Sequence, residues 1–368
     1  MTSERVGIGI IGCGTISGAY LKAARRFPIL DVRGVADVNM DAARARGAEF
    51  GHPAVTVDAL LADPTVEIVV NLTVPQAHFP VAMQALDAGK HVHNEKPLCV
   101  TLEDGRKLAA HAKAKGLRLG CAPDTFLGGA HQTARKLLDA GAIGTPVGGT
   151  AFFMCPGHEY WHPSPAFYYA AGGGPMLDMG PYYITDLVNL LGPVAQVSGQ
   201  ASRLRTTRPI RSQPLAGQQM TVEVPTHVAG LMTFRNRAIV TITMSFDVPK
   251  HRHLPLEIYG TDATLIVPDP NHFGGQLELA KPRAEWETVA TEHGYADDNY
   301  RIIGVADMAH AIRGNRSHRA SGDLALHVLE VMTAIERSAA MGGQPIAIES
   351  APERPAMLPV GLADGLLD

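Results

Sequence analysis

Through the first 122 residues, short apolar runs alternate with stretches in which apolar residues recur every three or four positions. The run Arg5 to Ile11 has the length and the β-branched content of a buried parallel strand. After it, Ile16, Tyr20, Ala23, Ala24 and Phe27 share one helical face. The pattern then predicts strands at 32–36, 55–57, 67–72, 91–94 and 118–121, and helices at 41–50, 76–88 and 102–115. Thr101 is a suitable N-cap for the last helix and Gly116 a suitable stop. This alternation predicts a Rossmann-like, doubly wound parallel sheet with right-handed crossovers.

The pattern changes between about residues 147 and 290. Strand-like runs at 147–154, 194–204, 228–234, 238–246, 256–259 and 264–267 are interrupted by one helical stretch, 176–191. That order predicts an α+β domain built on a large, mostly antiparallel sheet. Two more helices are expected at 300–312 and 323–341, then an irregular tail from Pro345 to Pro359. The expected division is residues 1–122 and 123–368, with the late helices and tail able to pack back on the first domain.

The first strand runs straight into Gly12-Cys13-Gly14-Thr15-Ile16-Ser17, a G-x-G-x-x-S loop that opens a helix. Gly12 permits a tight turn, and Gly14 lets backbone approach a pyrophosphate. The helix N-terminus then offers free N–H groups and a positive dipole end. The second strand ends at Asp37, twenty-five residues after Gly12. A carboxylate there accepts hydrogen bonds from the adenosine ribose and repels a 2′-phosphate. The expected cofactor is therefore NAD rather than NADP.

Composition narrows the class. A chain of 368 residues, 46% hydrophobic, is long enough for two cores. Net charge is −4 with both signs interspersed, which argues against nucleic acid as a partner. Cys13, Cys99, Cys121 and Cys155 form no C-x-x-C and read as reduced thiols of a cytoplasmic protein. No signal peptide and no membrane-spanning run is expected, because Met1 to Arg5 leads directly into the first strand.

The run His91-Val92-His93-Asn94-Glu95-Lys96-Pro97 places a carboxylate, an ammonium and a proline at the end of a strand. Pro97 donates no ladder bond and favours an extended Lys96. The carboxyl ends of strands are where an open α/β sheet binds its ligands.

These motifs resemble the Gfo/Idh/MocA family of NAD(P)-dependent oxidoreductases over nearly the whole chain. The resemblance rests on the Gly12–Ser17 loop, on Thr73-Val74-Pro75-Gln76-Ala77-His78, and on Ala88-Gly89-Lys90-His91-Val92 through Glu95-Lys96-Pro97. It continues in Ala140-Gly141-Ala142-Ile143-Gly144-Thr145-Pro146, in Gly172-Gly173-Gly174-Pro175-Met176-Leu177-Asp178-Met179-Gly180, and in the helix around Ala325 to Glu330. It implies a Rossmann domain joined to a sheet domain whose open face carries substrate and often mediates oligomerisation, hence a homodimer or homotetramer. It implies cofactor contacts at Gly12, Gly14, Thr15, Ile16, Ser17, Asp37, Thr73, Pro75, His78, Glu95 and Lys96. Lys96 would touch both the nicotinamide side and the reacting hydroxyl, and Asp178 would contact substrate. Four residues after Asp178, where the family usually has histidine, this chain has Tyr182. Some sugar and dihydrodiol dehydrogenases of the family pair a tyrosine there with the lysine.

Oxidising a carbinol needs a proton acceptor on its oxygen. A phenol, with an ordinary pKa near ~10, needs a neighbouring cation to serve at neutral pH, and Lys96 could supply it to Tyr182. The aromatic loop Gly157-His158-Glu159-Tyr160-Trp161-His162-Pro163 suits a sugar face, with His158, Trp161 and His162 as expected substrate contacts. The prolines there are incompatible with a zinc-binding HExxH helix, so no metal is expected. Asp124 is a further expected substrate contact, and the run His251-Arg252-His253 a lesser one. The leading expectation is an NAD-dependent oxidoreductase acting on a secondary hydroxyl of a sugar, cyclitol or glycoside. Two alternatives use the same residues: an NAD-dependent glycoside hydrolase working through transient oxidation, and a non-catalytic NAD-binding regulator.

Overall fold

The computed structural model describes residues 5–368, and residues 1–4, which bear on the expected absence of a signal peptide, lie outside them. Every residue of Val6–Ile11 (β1) is buried, as a central parallel strand requires. Around it lie Leu30–Ala36 (β2), Ala54–Val55 (β3), Ile68–Asn71 (β4), His91–Asn94 (β5) and Leu119–Cys121 (β6), in the order β3-β2-β1-β4-β5-β6. All pairs are parallel. The order reverses between β1 and β4, which opens a crevice at the carboxyl ends of those strands. The crossovers are helices Thr15–Ala24 (α1), Met40–Phe50 (α2), Val57–Ala62 (α3), Pro75–Asp87 (α4) and Leu102–Ala114 (α5).

The expected strand at 55–57 is cut short. Thr56 Oγ1 accepts the Ala59 N–H at 3.2 Å, so the chain turns into α3 at Val57. Thr101 caps α5 as its sequence position suggested, accepting from Asp104 N–H at 3.1 Å.

The second half begins with Gly129–Asp139 (α6), Pro146–Met154 (β7) and Pro175–Leu191 (α7). Strands Val194–Ser202 (β8), His227–Phe234 (β11), Ile239–Ser245 (β12), Leu256–Gly260 (β13), Thr264–Val267 (β14), Leu277–Ala280 (β15) and Glu287–Val289 (β16) follow, with a separate hairpin of Thr207–Pro209 (β9) and Gln219–Thr221 (β10). The main sheet has nine strands ordered β16-β15-β14-β13-β7-β12-β11-β8-β17, where β17 is Ile346–Ala347. It is antiparallel except for β7 beside β12. Its inner face, with Met232, Val240 and Ile242 fully buried, packs under α7 and Gly322–Ala340 (α9). Its other face exposes Leu231 and Ile239.

The late elements return to the first half. Helix α9 packs on α5 and β6, and Ile303–Arg313 (α8) packs on β6. Cys121 N–H donates to Ala320 O at 3.2 Å, closing the β6 edge. The proline-rich tail packs on its own chain. β17 pairs with β8, Leu358 is buried, and its N–H donates to Gln132 Oε1 at 2.8 Å. Among the described residues no helix is long and apolar enough to cross a membrane.

Candidate active site

The glycine loop leaves β1 with Gly12 at φ 102°, a conformation that disfavours any side chain. A Cβ there would stand 2.5 Å from the Leu72 carbonyl carbon. Gly14 differs: a Cβ would meet no atom within 4 Å and would project over the loop. Gly14 also caps α1 with no side-chain hydrogen bond, so the first-turn N–H groups have no side-chain cap to satisfy them. Free donors, a dipole end and an open cradle fit a dinucleotide pyrophosphate. Thr15 is exposed at the first helical position. Ser17 does not face that cradle. It is fully buried, and its hydroxyl donates to Gly14 O at 2.7 Å, so it serves helix-to-strand packing rather than cofactor contact.

Asp37 accepts Cys13 N–H and Asn39 N–H, both at 2.8 Å, which aims its carboxylate along the crevice where a ribose would lie. A cation that the sequence did not disclose reaches the glycine loop. Arg46 of α2 donates to Gly14 O at 3.1 Å. Mid-helix position alone gave no sign of this reach.

At the far end of the crevice, Thr73 and Pro75 line a cleft between the two halves, and Thr73 Oγ1 donates to Asn71 Oδ1 at 2.7 Å. His78 is a correction to the expected cofactor set. Its ring is buried between two carbonyl oxygens, Pro97 O at 2.7 Å and Thr73 O at 3.0 Å. It ties the Thr73 turn to the Lys96–Pro97 turn and presents no atom to a ligand. Burial holds its pKa below the ordinary value. Glu95 is occupied by Tyr20, whose hydroxyl donates to Oε1 at 2.8 Å, and by Lys96 N–H on Oε2 at 2.8 Å.

The Lys96 ammonium turns from Glu95 to the second half. Nζ donates to Asp178 Oδ1 at 2.6 Å and to Asp178 O at 2.8 Å, and lies 5.4 Å from the Tyr182 ring centroid. Asp178 stands in the first turn of α7, where a helix favours negative charge. Its Oδ2 accepts His158 Nε2 at 2.9 Å, and His158 Nδ1 accepts the Trp161 indole N–H at 3.2 Å. An indole only donates, so Nε2 carries the His158 proton, and the donors His158 and Lys96 converge on the Asp178 carboxylate from opposite sides. Burial alone would raise the Asp178 carboxyl. The Lys96 charge and the hydrogen bonds from His158 and Lys96 outweigh it and bring the pKa down to about 2. Burial likewise works against the Lys96 ammonium, but Asp178, Tyr182 and Glu95 hold its pKa well above the ordinary range.

Tyr182 lines the same cleft, of about 390 Å3. An adjacent cation alone would lower its pKa. Burial is the larger effect, so the phenol lies above its ordinary value, with Lys96 and Arg301 opposing the rise. Arg301 and Asn271 also line the cleft and went unnoticed in the sequence. They come from loops far along the chain, with no motif to mark them. Ile16, Phe153, Tyr168 and Trp161 supply the apolar walls.

Two expected substrate contacts fall elsewhere. His162 does not line the cleft. Its Nδ1 accepts Ser164 N–H at 3.1 Å, and its ring packs edge-on against Trp161 and Tyr168. Asp124 is 1% exposed, and one of its oxygens accepts Ile302 N–H and Gly304 N–H, each at 3.0 Å. It is an internal brace for the loop ahead of α8. The run His251–His253 also lies outside the cleft, with His253 stacked on Phe152 at 4.3 Å.

Burial raises the Asp124 carboxyl to about 6, against the pull of the Gly304 and Ile302 N–H groups. A folded-state value above the ordinary 3.8 means that protonation favours the fold. That contribution is complete below the ordinary value and is lost as pH rises through about 6. The stability of the parent relative to Asp124→Asn should therefore fall by about 3 kcal/mol across this window. Denaturant unfolding of both proteins at several pH values measures it, and parallel curves would refute it.

The two halves match models of one family. Residues 6–122 match the oxidoreductase family with an NAD-binding Rossmann fold, and residues 131–266 match the GFO/IDH/MocA C-terminal domain. The chain belongs to the Gfo/Idh/MocA oxidoreductases. Among relatives in this family, it is 31% identical to the 1,5-anhydro-D-fructose reductase of Ensifer adhaerens over 46% of this chain and 52% of that one. It is 29% identical to the dTDP-3,4-didehydro-2,6-dideoxy-alpha-D-glucose 3-reductase of Streptomyces violaceoruber, over 92% and 96%. A levoglucosan dehydrogenase structure in complex with NADH superposes with a TM-score of 0.83 at 22% identity, covering 94% of this chain and 100% of that one. That likeness establishes the two-part fold for this Gfo/Idh/MocA member.

Proposed function

We propose that this chain is an NAD-dependent oxidoreductase that interconverts a secondary hydroxyl and a carbonyl on a carbohydrate. The observation that carries the reading is the chain Trp161–His158–Asp178–Lys96, which ends beside Tyr182 in a cleft continuous with the glycine-loop crevice. Named relatives that reduce sugars support the substrate class. The bound dinucleotide would supply hydride transfer at the carbon. Gly12, Gly14 and the first turn of α1 would hold its pyrophosphate, and Asp37 its ribose.

This chain's own residues handle the oxygen. Asp178 keeps Lys96 charged, so the lysine acts as a fixed ammonium against the developing alkoxide, not as the base. Tyr182 moves the proton. A neutral phenol donates when a carbonyl is reduced, whereas oxidation needs the phenolate and gains rate as pH rises. Trp161, its N–H already given to His158, offers its ring to a sugar face.

The decisive test incubates the protein with NAD and a panel of sugars, anhydrosugars and aryl glycosides while NADH and aglycone are both followed. Net NADH growth with a sugar is expected. Aglycone release that requires NAD yet yields no NADH would establish a hydrolase instead. Tight NAD binding with no turnover on any compound would leave a regulator. The same preparation tests cofactor choice: NADH should bind at least about tenfold tighter than NADPH, because Asp37 repels a 2′-phosphate. Asp37→Ser should narrow that ratio, and equal binding by the parent would refute it.

A further inference from the structure

Arg301 enters the cleft from the loop ahead of α8, more than a hundred residues after Tyr182 in the chain. Its side chain is fastened on two sides. Nη2 donates to Asn271 Oδ1 at 2.7 Å and to Asn271 O at 3.2 Å, and Nη1 donates to Asn299 Oδ1 at 3.2 Å. The backbone behind it is fastened too. Ile302 has φ 110°, an unfavourable conformation for a β-branched residue, and its N–H is held by the buried Asp124. Gly304 gives the same oxygen a second N–H, and a Cβ at Gly304 would come within 3.0 Å of the Asp124 Cβ. A buried carboxylate and a strained residue thus fix one guanidinium in the wall of the cleft.

That guanidinium is a poor receptor for a substrate anion, because much of its donor fork is already engaged by the two asparagines. What remains borders the cleft that Tyr182 also lines, and its charge favours the phenolate. The phenol is then bracketed. Lys96, from the first half, stands over its ring at 5.4 Å, and Arg301 shares the wall of the same cleft. Glu95 opposes both cations, Tyr20 and Tyr168 face the phenol with neutral hydroxyls, and Asp178 lies one turn earlier on α7, spent on Lys96 and His158.

We propose that Arg301 is a positioning residue for Tyr182, holding its hydroxyl at the reacting end of the cleft and stabilising the phenolate, with Asp124 and Asn271 holding the arginine in place. This rests on the reading of Tyr182 as the proton-transfer residue. It also gives the buried Asp124 and the strained Ile302 one purpose.

The test is a titration of full-length protein labelled with 13C at the tyrosine ζ carbon, followed by NMR. The Tyr182 signal is the one missing from Tyr182→Phe. The parent signal should titrate, and in Arg301→Gln its midpoint should rise by at least about one unit, a tenfold weaker proton release. Arg301→Lys keeps the charge and should recover part of the shift. Asn271→Ala, which frees the guanidinium without removing it, should give an intermediate value and carries the test if Arg301→Gln does not fold. Coincident midpoints in folded parent and variants would overturn the proposal, as would a midpoint that falls in Arg301→Gln. The measurement needs neither sugar nor cofactor. A shift without turnover on the sugar panel would sink the proposed function alone, and turnover without a shift would sink only the role of Arg301.

Discussion

Lys96→Met should lower kcat for sugar oxidation by at least about a thousandfold while NADH affinity stays within a few-fold of the parent. Among the described residues the ammonium is the only charge that touches both Asp178 and the Tyr182 ring face, so no described neighbour replaces it. Methionine fills the space but leaves the Asp178 carboxylate with His158 as its remaining partner. Removing one member of a buried pair typically costs about 3–5 kcal/mol, and less is expected here because the pair borders the cleft. This loss has a pH signature. The Asp178 pKa in the fold lies below the ordinary 3.8, so its stabilisation is present above that value and is lost as pH falls towards about 2. The raised Lys96 pKa adds stabilisation that persists below the ordinary 10.5 and fades only when pH climbs above it. The stability gap between parent and variant should thus be widest near neutral pH and close in strong acid. A variant with parental kcat would rule out Lys96 as the alkoxide-stabilising group.

Tyr182→Phe should cost about a hundredfold to ten-thousandfold in kcat and remove the rise of the oxidation rate with pH. The ring stays, so Lys96 keeps its aromatic face and the core under α7 keeps its packing. The loss in stability should not exceed about 1 kcal/mol, the order of one hydroxyl's hydrogen bonding. Steady-state rates from pH 6 to about 10 separate the possibilities. If the phenylalanine variant retains both rate and pH rise, the proton goes elsewhere, and His158 becomes the candidate through its contact with Asp178.

The first sheet was legible because its rules are local. A buried strand, a Gly-x-Gly turn and a helix follow one another within a few residues, and each announces itself by composition or period. Thr101, Asp37 and Lys96 could be placed for the same reason. Failures occurred where a local signal was overridden or a tertiary partner was needed. Thr56 capped a helix where a strand was expected, and the expected helix from Tyr300 begins only at Ile303 because Asp124 holds the preceding turn. The short strands 277–280 and 287–289 carried too little pattern to be seen. Ser17, His78, Asp124 and His162 look available to ligands because they are polar residues near motifs, yet each gives at least one polar atom to a partner within the protein.

Sequence alone determined the dinucleotide-binding half, its strand-end acid and lysine, and the family to which the chain belongs, because those depend on residue type at fixed short spacing. Only the tertiary structure decided which groups meet. It sent the Lys96 ammonium to Asp178 instead of Glu95, aligned His158 and Trp161 behind that carboxylate, and brought Arg301 into the cleft that Tyr182 lines. Apart from His158 and its neighbour Trp161, such partners lie about 20 to 120 positions apart in the chain. Their meeting depends on how two sheets and a returning pair of helices pack, which no local pattern encodes.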